Sequence, residues 1–468
     1  MEKEIQNTAR MFSNKVLFTL IWPLIVEQIL NVTVGIADVI MVSSLGEASV
    51  SGVSLVDSIN ILLFGIFSAL GTGGAVVVSQ YIGRRKMDMA SKTAIQLVYT
   101  MLFLSLSITV LTILFRGPLL KSVFGQVEHD VMHEALDYFL ITMLTLPGIA
   151  VYNACAALFR AQGNSSVSMM ASVFINIVNI GGNAFCIYGL KMGVEGVAVP
   201  TTISRIGAAV LLFYLMLLER PVEGKKAVSV RRLFREPADF LLIKKILQIG
   251  IPNGLENSIF QIGKILVLSL IATFGTSAIT ANAAGNTIAS IEVLPPAAIG
   301  LAMLTVVGQC VGAGDYKQAM YYTKKLMAVA YISMFVWNVP LLLFSYRILE
   351  FYHLPPDTTK LAWYITLTHG IFGVIIWPMS FTLPNALRAA NDARFTMIVS
   401  MISMWTIRIG MSWVFKYNGI FGLIPAMGWA VAYGALGSWF AMVLDWVLRS
   451  ALFIWRLASG KWKGHTLI

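Results

Sequence analysis

The sequence predicts an all-α polytopic membrane protein of twelve transmembrane helices in two pseudo-symmetric six-helix lobes, and three observations carry that prediction. Of the 468 residues, 57% are apolar and only 12% charged, whereas an ordinary soluble domain carries roughly a quarter charged residues. Apolar runs of about 20 residues recur from end to end, the length that crosses a ~30 Å hydrocarbon core at ~1.5 Å rise per residue. The second half of the chain also repeats the first.

Spans are expected near 16–41, 54–82, 93–115, 131–157, 165–189, 194–218, 243–274, 283–311, 323–347, 360–386, 395–417 and 425–455. The opening segment MEKEIQNTARMFSNK is charged and leads straight into the first run, without the short apolar region and small-residue cleavage site of a signal peptide. That first helix is therefore expected to be retained. Cys155, Cys186 and Cys310 all fall inside spans, which argues for packing rather than for a disulfide framework or a cysteine metal site.

A net charge of +11 does not point to nucleic acid, because the basic residues sit in particular loops. With the N-terminus on one face, 24 of the 34 Lys and Arg fall on that face and six on the other. Arg84, Arg85 and Lys86 and the run through Arg231, Arg232 and Arg235 are typical of the rich side. The positive-inside rule places that side, with both termini, in the cytoplasm.

The longest polar stretch, 219–240, divides the chain near its middle. Across it, at an offset of 229, Pro23 meets Pro252, Glu27 meets Glu256, Gly46 meets Gly275, Gly71 meets Gly300 and Gly83 meets Gly312. Arg160 and Ala161 meet Arg388 and Ala389 at offset 228, and Gly196 meets Gly428 at 232. An N-terminal lobe over 1–218, a basic cytoplasmic linker over 219–242 and a C-terminal lobe over 243–468 follow. Two parallel repeats of six spans place the symmetry axis along the membrane normal, with substrate expected between the halves.

Ionisable groups within spans cost at least ~2.5 kcal/mol each on insertion scales, so they are candidates for function. On the first span Glu27 and Asp38 lie eleven residues apart, within ~20° of one helix face and ~16 Å along its axis. Asn31 joins them in a polar stripe. Glu27 either faces a cavity or pairs near an interface. Asn176, Asn179 and Asn183 share a face of the fifth span. Such a row either joins helices by hydrogen bonds of ~0.6 to 2 kcal/mol each or, with Asp38, binds a hard cation. Asp38, Asn179, Asn183 and Thr201 would supply Na⁺ with carboxylate, carbonyl and hydroxyl oxygens from three helices of one lobe.

In the seventh span Pro252 can kink the helix, and Glu256, Gln261 and Lys264 bring polar groups into the membrane as candidate cavity residues. Lys264 would either touch substrate or pair with a carboxylate from another helix. Arg205, Arg408 and His369 read as structural or interfacial, and His129 and His133 as members of a solvated outer loop. No paired His and acid motif lies within a span, so an enzyme is not expected.

The sequence resembles the multidrug and toxic compound extrusion family over nearly its whole length. IADVIMVSSLG (36–46), SQYIGRRKMDMA (79–90), LFRAQGN (158–164), GVEGVAVPTTIS (193–204), GQCVGAGDYKQA (308–319) and ALRAANDARFTM (386–397) carry the resemblance. It implies a secondary antiporter of the prokaryotic plasma membrane, working as a monomer without a cofactor. Organic cations or amphipathic drugs would leave by alternating access in exchange for Na⁺ or H⁺. It also implies that Asp38 takes the coupling ion, with Asn179 and Thr201 as neighbours. Asn183 departs from the pattern, standing where some branches carry aspartate. Glu256 is shifted from the best-known acidic position of the seventh helix, and the tenth span has no acid. The rival readings are a flippase of a lipid-linked precursor and, further off, a membrane-embedded enzyme.

Overall fold

The structure, a computed structural model, describes residues 10–125, 127–218, 227–418 and 429–465. These residues form helices and connecting turns, in two compact units. One runs to Gly254 and includes Gly312–Gly314; the other comprises Leu255–Val311 and the chain from Asp315.

In the first unit α1 (Asn14–Ser43), α2 (Glu47–Gly83), α3 (Met87–Leu114), the short α4 (Arg116–Phe124), α5 (His129–Ala161), α6 (Ser165–Ala184) and α7 (Glu195–Leu217) follow one another through tight turns. Ser13 caps α1 by accepting from Val16 N, as a serine at a helix start does. The broadest packing within the unit is of α2 on α5, followed by α5 on α7 and α1 on α6. Gly52 lets α2 approach α5 closely, since a Cβ there would stand 2.9 Å from Ala135 N. Small residues at crossing points are how helices pack tightly where lipid supplies no hydrophobic drive.

The α8 helix (Phe240–Ala272) is followed by α9 (Thr276–Glu292), α10 (Leu294–Gly312), α11 (Tyr316–Glu350) and α12 (Pro356–Trp377). Then come α13 (Pro384–Ala389), α14 (Ala393–Ile402), α15 (Gly410–Asn418) and α16 (Trp429–Ala458). A π turn at Pro378–Thr382 joins α12 to α13, and another at Ser403–Ile409 joins α14 to α15. The second unit's core gathers Ala281, Ile365, Trp439 and Trp446 from α9, α12 and α16.

Eleven helical segments among the described residues are long and apolar enough to cross a membrane. The last expected span, 425–455, falls largely on α16, with its first residues outside the described ones. The eighth differs from expectation. In place of one continuous helix over 283–311, α9 ends at Glu292 and α10 starts at Leu294. Pro295 and Pro296 explain the break, because proline lacks the N–H that a helix interior requires and fits only its first turn.

The backbone repeats as the sequence does. Gly46 and Gly275, 229 apart, cap α2 and α9 with φ of +109° and +97°. Arg85 and Gly314, also 229 apart, have φ of +59° and +76°; Gly163 and Asn391, 228 apart, have +84° and +69°. Left-handed positions favour glycine or asparagine, so Arg85 holds this conformation because the α2–α3 turn demands it.

Residues 219–226 of the expected linker lie outside the described residues, and α8 begins at Phe240, inside its expected end. Residues 227–239 are strapped onto the first unit. Gln162 accepts from Val228 N at 2.8 Å, Gln96 donates to Pro237 O at 2.9 Å and accepts from Asp239 N at 3.0 Å, and Tyr99 donates to Leu233 O. Val228, Val230 and Leu233 are buried beneath it.

Candidate functional site

Within the first unit, α1, α6 and α7 bring four of the expected residues together. Asn183 Nδ2 donates to Asp38 Oδ1 at 2.7 Å and approaches Asn179 Oδ1 at 3.3 Å. Asn179 Nδ2 donates to Thr201 Oγ1 at 2.8 Å. Both asparagines are fully buried and Asp38 is half-buried. The helical spacing of 179 and 183 sets both amides on one face of α6, which turns into a π turn at Phe185 just beyond them. Such widened turns often mark functional positions. Asn183 Oδ1 meets no hydrogen-bond partner among the described residues. One carboxylate, two carboxamides and a hydroxyl thus converge, a donor set suited to a proton or a hard monovalent cation.

The polar stripe expected on α1 divides between different surroundings. Glu27 is buried with Arg160 Nη1 at 3.0 Å and Ser168 Oγ at 2.7 Å, so its carboxylate is held by protein. Asn31 is exposed. Glu27 and Asp38 thus meet α6 at different points, at Ser168 and at Asn183, and only Asp38 lies with the two asparagines.

Sequence reasoning passed over Asp57, an acid inside the second span. It accepts from Asn60 Nδ2 at 3.1 Å and from the Tyr138 hydroxyl at 3.4 Å. Asp57 and Arg205 both lie within electrostatic range of Asp38, and the Arg205 guanidinium sits 4.9 Å over the Phe64 ring. Two carboxylates and one guanidinium therefore share this part of the unit, so Arg205 belongs to the charge cluster. An acid early in a long apolar run is a signal that the sequence did offer.

In the second unit Glu256 repeats the arrangement of Glu27. Arg388 Nη2 donates to it at 2.8 Å, Ser400 Oγ at 2.6 Å, and Arg449 Nη2 lies 3.7 Å away. Gln261 is half-buried and Lys264 exposed, with Nζ 5.7 Å over the Phe260 ring. Among the described residues Lys264 forms no carboxylate pair; its charge is felt with that of Arg408.

Two further ionisable groupings sit in this unit. Glu292, at the α9–α10 break, meets His369 Nδ1, and Asn338 donates to the Glu292 carbonyl at 3.2 Å. Asp445 accepts from Ser403 and interacts electrostatically with Arg408 and Arg449. His369 and Arg408, expected as structural or interfacial, are buried members of these groupings. Among the described residues no three His, Cys, Asp or Glu side chains gather as a metal centre.

Apolar spanning helices in two units, each enclosing ionisable groups, define a polytopic membrane transporter. The sequence profile of the MatE family matches this chain twice, over residues 23–185 and 252–414, at the repeat's own offset of 229. The chain belongs to that family. It is 28% identical over 457 residues to the "Uncharacterized transporter YisQ" of Bacillus subtilis, covering 95% of this chain and 94% of that protein. It is 24% identical over 459 residues to the "Probable multidrug resistance protein NorM" of Thermotoga maritima, with 97% and 94% covered. A solved structure described as an outward-facing multidrug resistance MATE family transporter matches the fold with a TM-score of 0.86 at 18% identity, over 97% of each chain. The expected family and the two-lobed all-helical fold are thereby borne out.

Proposed function

We propose that this MATE family transporter is a secondary active antiporter that exports organic cations or amphipathic drugs in exchange for Na⁺ or H⁺ by alternating access. The observation that carries the reading is the meeting of Asp38 with Asn183, and of Asn179 with Thr201, inside apolar spanning helices. A neutralised Asp38 and an ionised one favour different packings of the surrounding helices, because a bare carboxylate must keep its donors while a neutral one need not. Ion binding then biases the balance between two states, and the exported compound draws on that bias only through different affinities for them. Relatives described as probable multidrug resistance proteins support the cargo class. The basic loops support a prokaryotic plasma-membrane location with both termini cytoplasmic, and the reading takes the monomer as the working unit. The two lobes would be 1–218 and 243–468, joined by the linker between them.

The test is efflux of a fluorescent organic cation from proteoliposomes under a Na⁺ gradient and a pH gradient imposed separately. Uphill movement driven by either gradient supports antiport and names the ion. No movement under both refutes the reading and favours a flippase of a lipid-linked precursor.

A further inference from the structure

One aromatic ring in the second unit is surrounded by three cations. Lys264 Nζ lies 5.7 Å, Arg408 Cζ 5.4 Å and Arg449 Cζ 6.0 Å from the centroid of Phe260. Phe260 and Lys264 stand one turn apart on α8, Arg408 comes from the π turn at Ser403–Ile409, and Arg449 comes from α16. Arg408 is 9% and Arg449 2% exposed, whereas Lys264 is open to the surroundings.

The charges here do not balance. The carboxylates in range of these cations are Asp445 and Glu256, and Glu256 is already gripped by Arg388. Among the described residues the three guanidiniums of Arg388, Arg408 and Arg449 face two carboxylates, which leaves one positive charge in excess within membrane-spanning helices, with the exposed Lys264 beside it. Ring faces attract cations, but too weakly to replace an anion. Unneutralised buried charge is strongly unfavourable in such a place. The hydrogen bonding is incomplete as well: one acceptor, Asp445 Oδ2, lacks a partner among the described residues, against three guanidinium donors of Arg408 and Arg449. Arg408 Nε and both Nε and Nη1 of Arg449 are buried donors without a partner among the described residues. Guanidinium donors of this kind are matched by the oxygens of a carboxylate or phosphate.

We propose that Lys264, Arg408 and Arg449 form an oxyanion site in the second lobe, which takes the carboxylate or phosphate group of an amphipathic compound. Lys264 is the exposed arm that meets the anion first, and the buried guanidinium edges receive it. The site deepens the export reading and rests on it for the anion being part of the cargo: compounds bearing an anionic group beside a cationic one are bound better than purely cationic ones. A membrane lipid headgroup has the same oxyanion chemistry and is the second source of such a ligand.

Two fluorescent dyes isolate the anionic group. Rhodamine 110 carries a free carboxylate, and rhodamine 123 is its methyl ester. Binding of each to the purified full-length protein is measured by fluorescence polarisation, which needs no gradient and so stands apart from the transport test. The expected result is about a tenfold preference for rhodamine 110, falling to about one in Lys264→Met and in Arg408→Met. Lys264 is exposed, so its replacement serves as the variant with the least effect on folding, which thermal unfolding checks. Loss of the preference on adding short-chain phosphatidylglycerol assigns the site to a headgroup, and persistence of the preference assigns it to a solute. Equal binding of the two dyes by the unaltered protein, or a preference that survives both substitutions, overturns the proposal. Failure of gradient-driven efflux with the preference intact would overturn the export reading alone.

Discussion

Arg160 Nη1 donates to Glu27 Oε1 across 3.0 Å, and the clasp recurs one repeat later, where Arg388 Nη2 donates to Glu256 Oε2 across 2.8 Å. A hydroxyl completes each, Ser168 in the first unit and Ser400 in the second. Thr396 stands at the repeat position of Ser168, yet it lies 3.5 Å from Glu256 and the shorter bond comes from Ser400, one turn along. The acid and arginine are thus repeated while the hydroxyl has shifted.

A buried pair of this kind is far more sensitive to losing one partner than to losing both. Arg160→Met leaves a buried carboxylate with the Ser168 hydroxyl on it but no opposing charge, and about 3 to 5 kcal/mol of stability is expected to disappear. The double variant Glu27→Gln with Arg160→Met should recover most of that. Thermal unfolding in detergent reads both, and equal losses in single and double variants would remove the clasp from the account of stability. The same pattern is expected for Glu256 with Arg388.

Asp38→Asn should abolish ion-coupled efflux with the fold intact, because an amide cannot alternate between charged and neutral forms. Asn183→Asp should act in the opposite sense. It removes the donor to Asp38 and sets a second carboxylate in its place, so a cation is needed between them; cation affinity is expected to rise roughly tenfold, about 1.4 kcal/mol. Isothermal titration of the purified variant with Na⁺ across pH measures this. Unchanged affinity would separate Asn183 from the cation site.

At Gly52 the α2 backbone meets α5, and a leucine there has no room beside Ala135 N and Val131 O. Overpacking of about 1 to 3 kcal/mol is expected. Gly35, where an added Cβ meets nothing within 4 Å, provides the matched control. A Gly52→Leu variant unfolding no earlier than Gly35→Leu would show that the approach is not a tight one.

Gln96 ties the segment before α8 down through two hydrogen bonds, to Pro237 O and from Asp239 N. Two bonds of about 1 kcal/mol each govern local opening by roughly tenfold or more. Gln96→Ala is therefore expected to speed tryptic cleavage at Arg231, Arg232 and Arg235 by that order. Cleavage at the unaltered rate would mean that the buried Val228, Val230 and Leu233 suffice to hold the segment.

Much of the site was legible because helical periodicity is a local rule. The intervals of Asn179 and Asn183 fixed their shared face, and the family pattern pointed to Asp38 and Thr201 as their company. Asp57 was equally visible as an acid in an apolar run and was passed over, since nothing local marks which acids share surroundings. Glu27 and Asp38 share the face that periodicity gives them and both meet α6, but an arginine holds Glu27 while Asp38 meets asparagines, a difference that spacing alone does not carry. The α9–α10 break lay in plain sight at Pro295 and Pro296, where span length outweighed a backbone rule in the reading.

By itself the sequence determined the solvent, the repeat and the family, because hydropathy and the 229-residue offset are properties of the chain in order. The tertiary structure decided which charges meet. Arg160 closes on Glu27 from 133 residues away, and Arg449 reaches Phe260 from another helix altogether. Pairing across helices depends on which faces turn toward each other and at what depth, and a one-dimensional pattern fixes the face of each helix without fixing its neighbour.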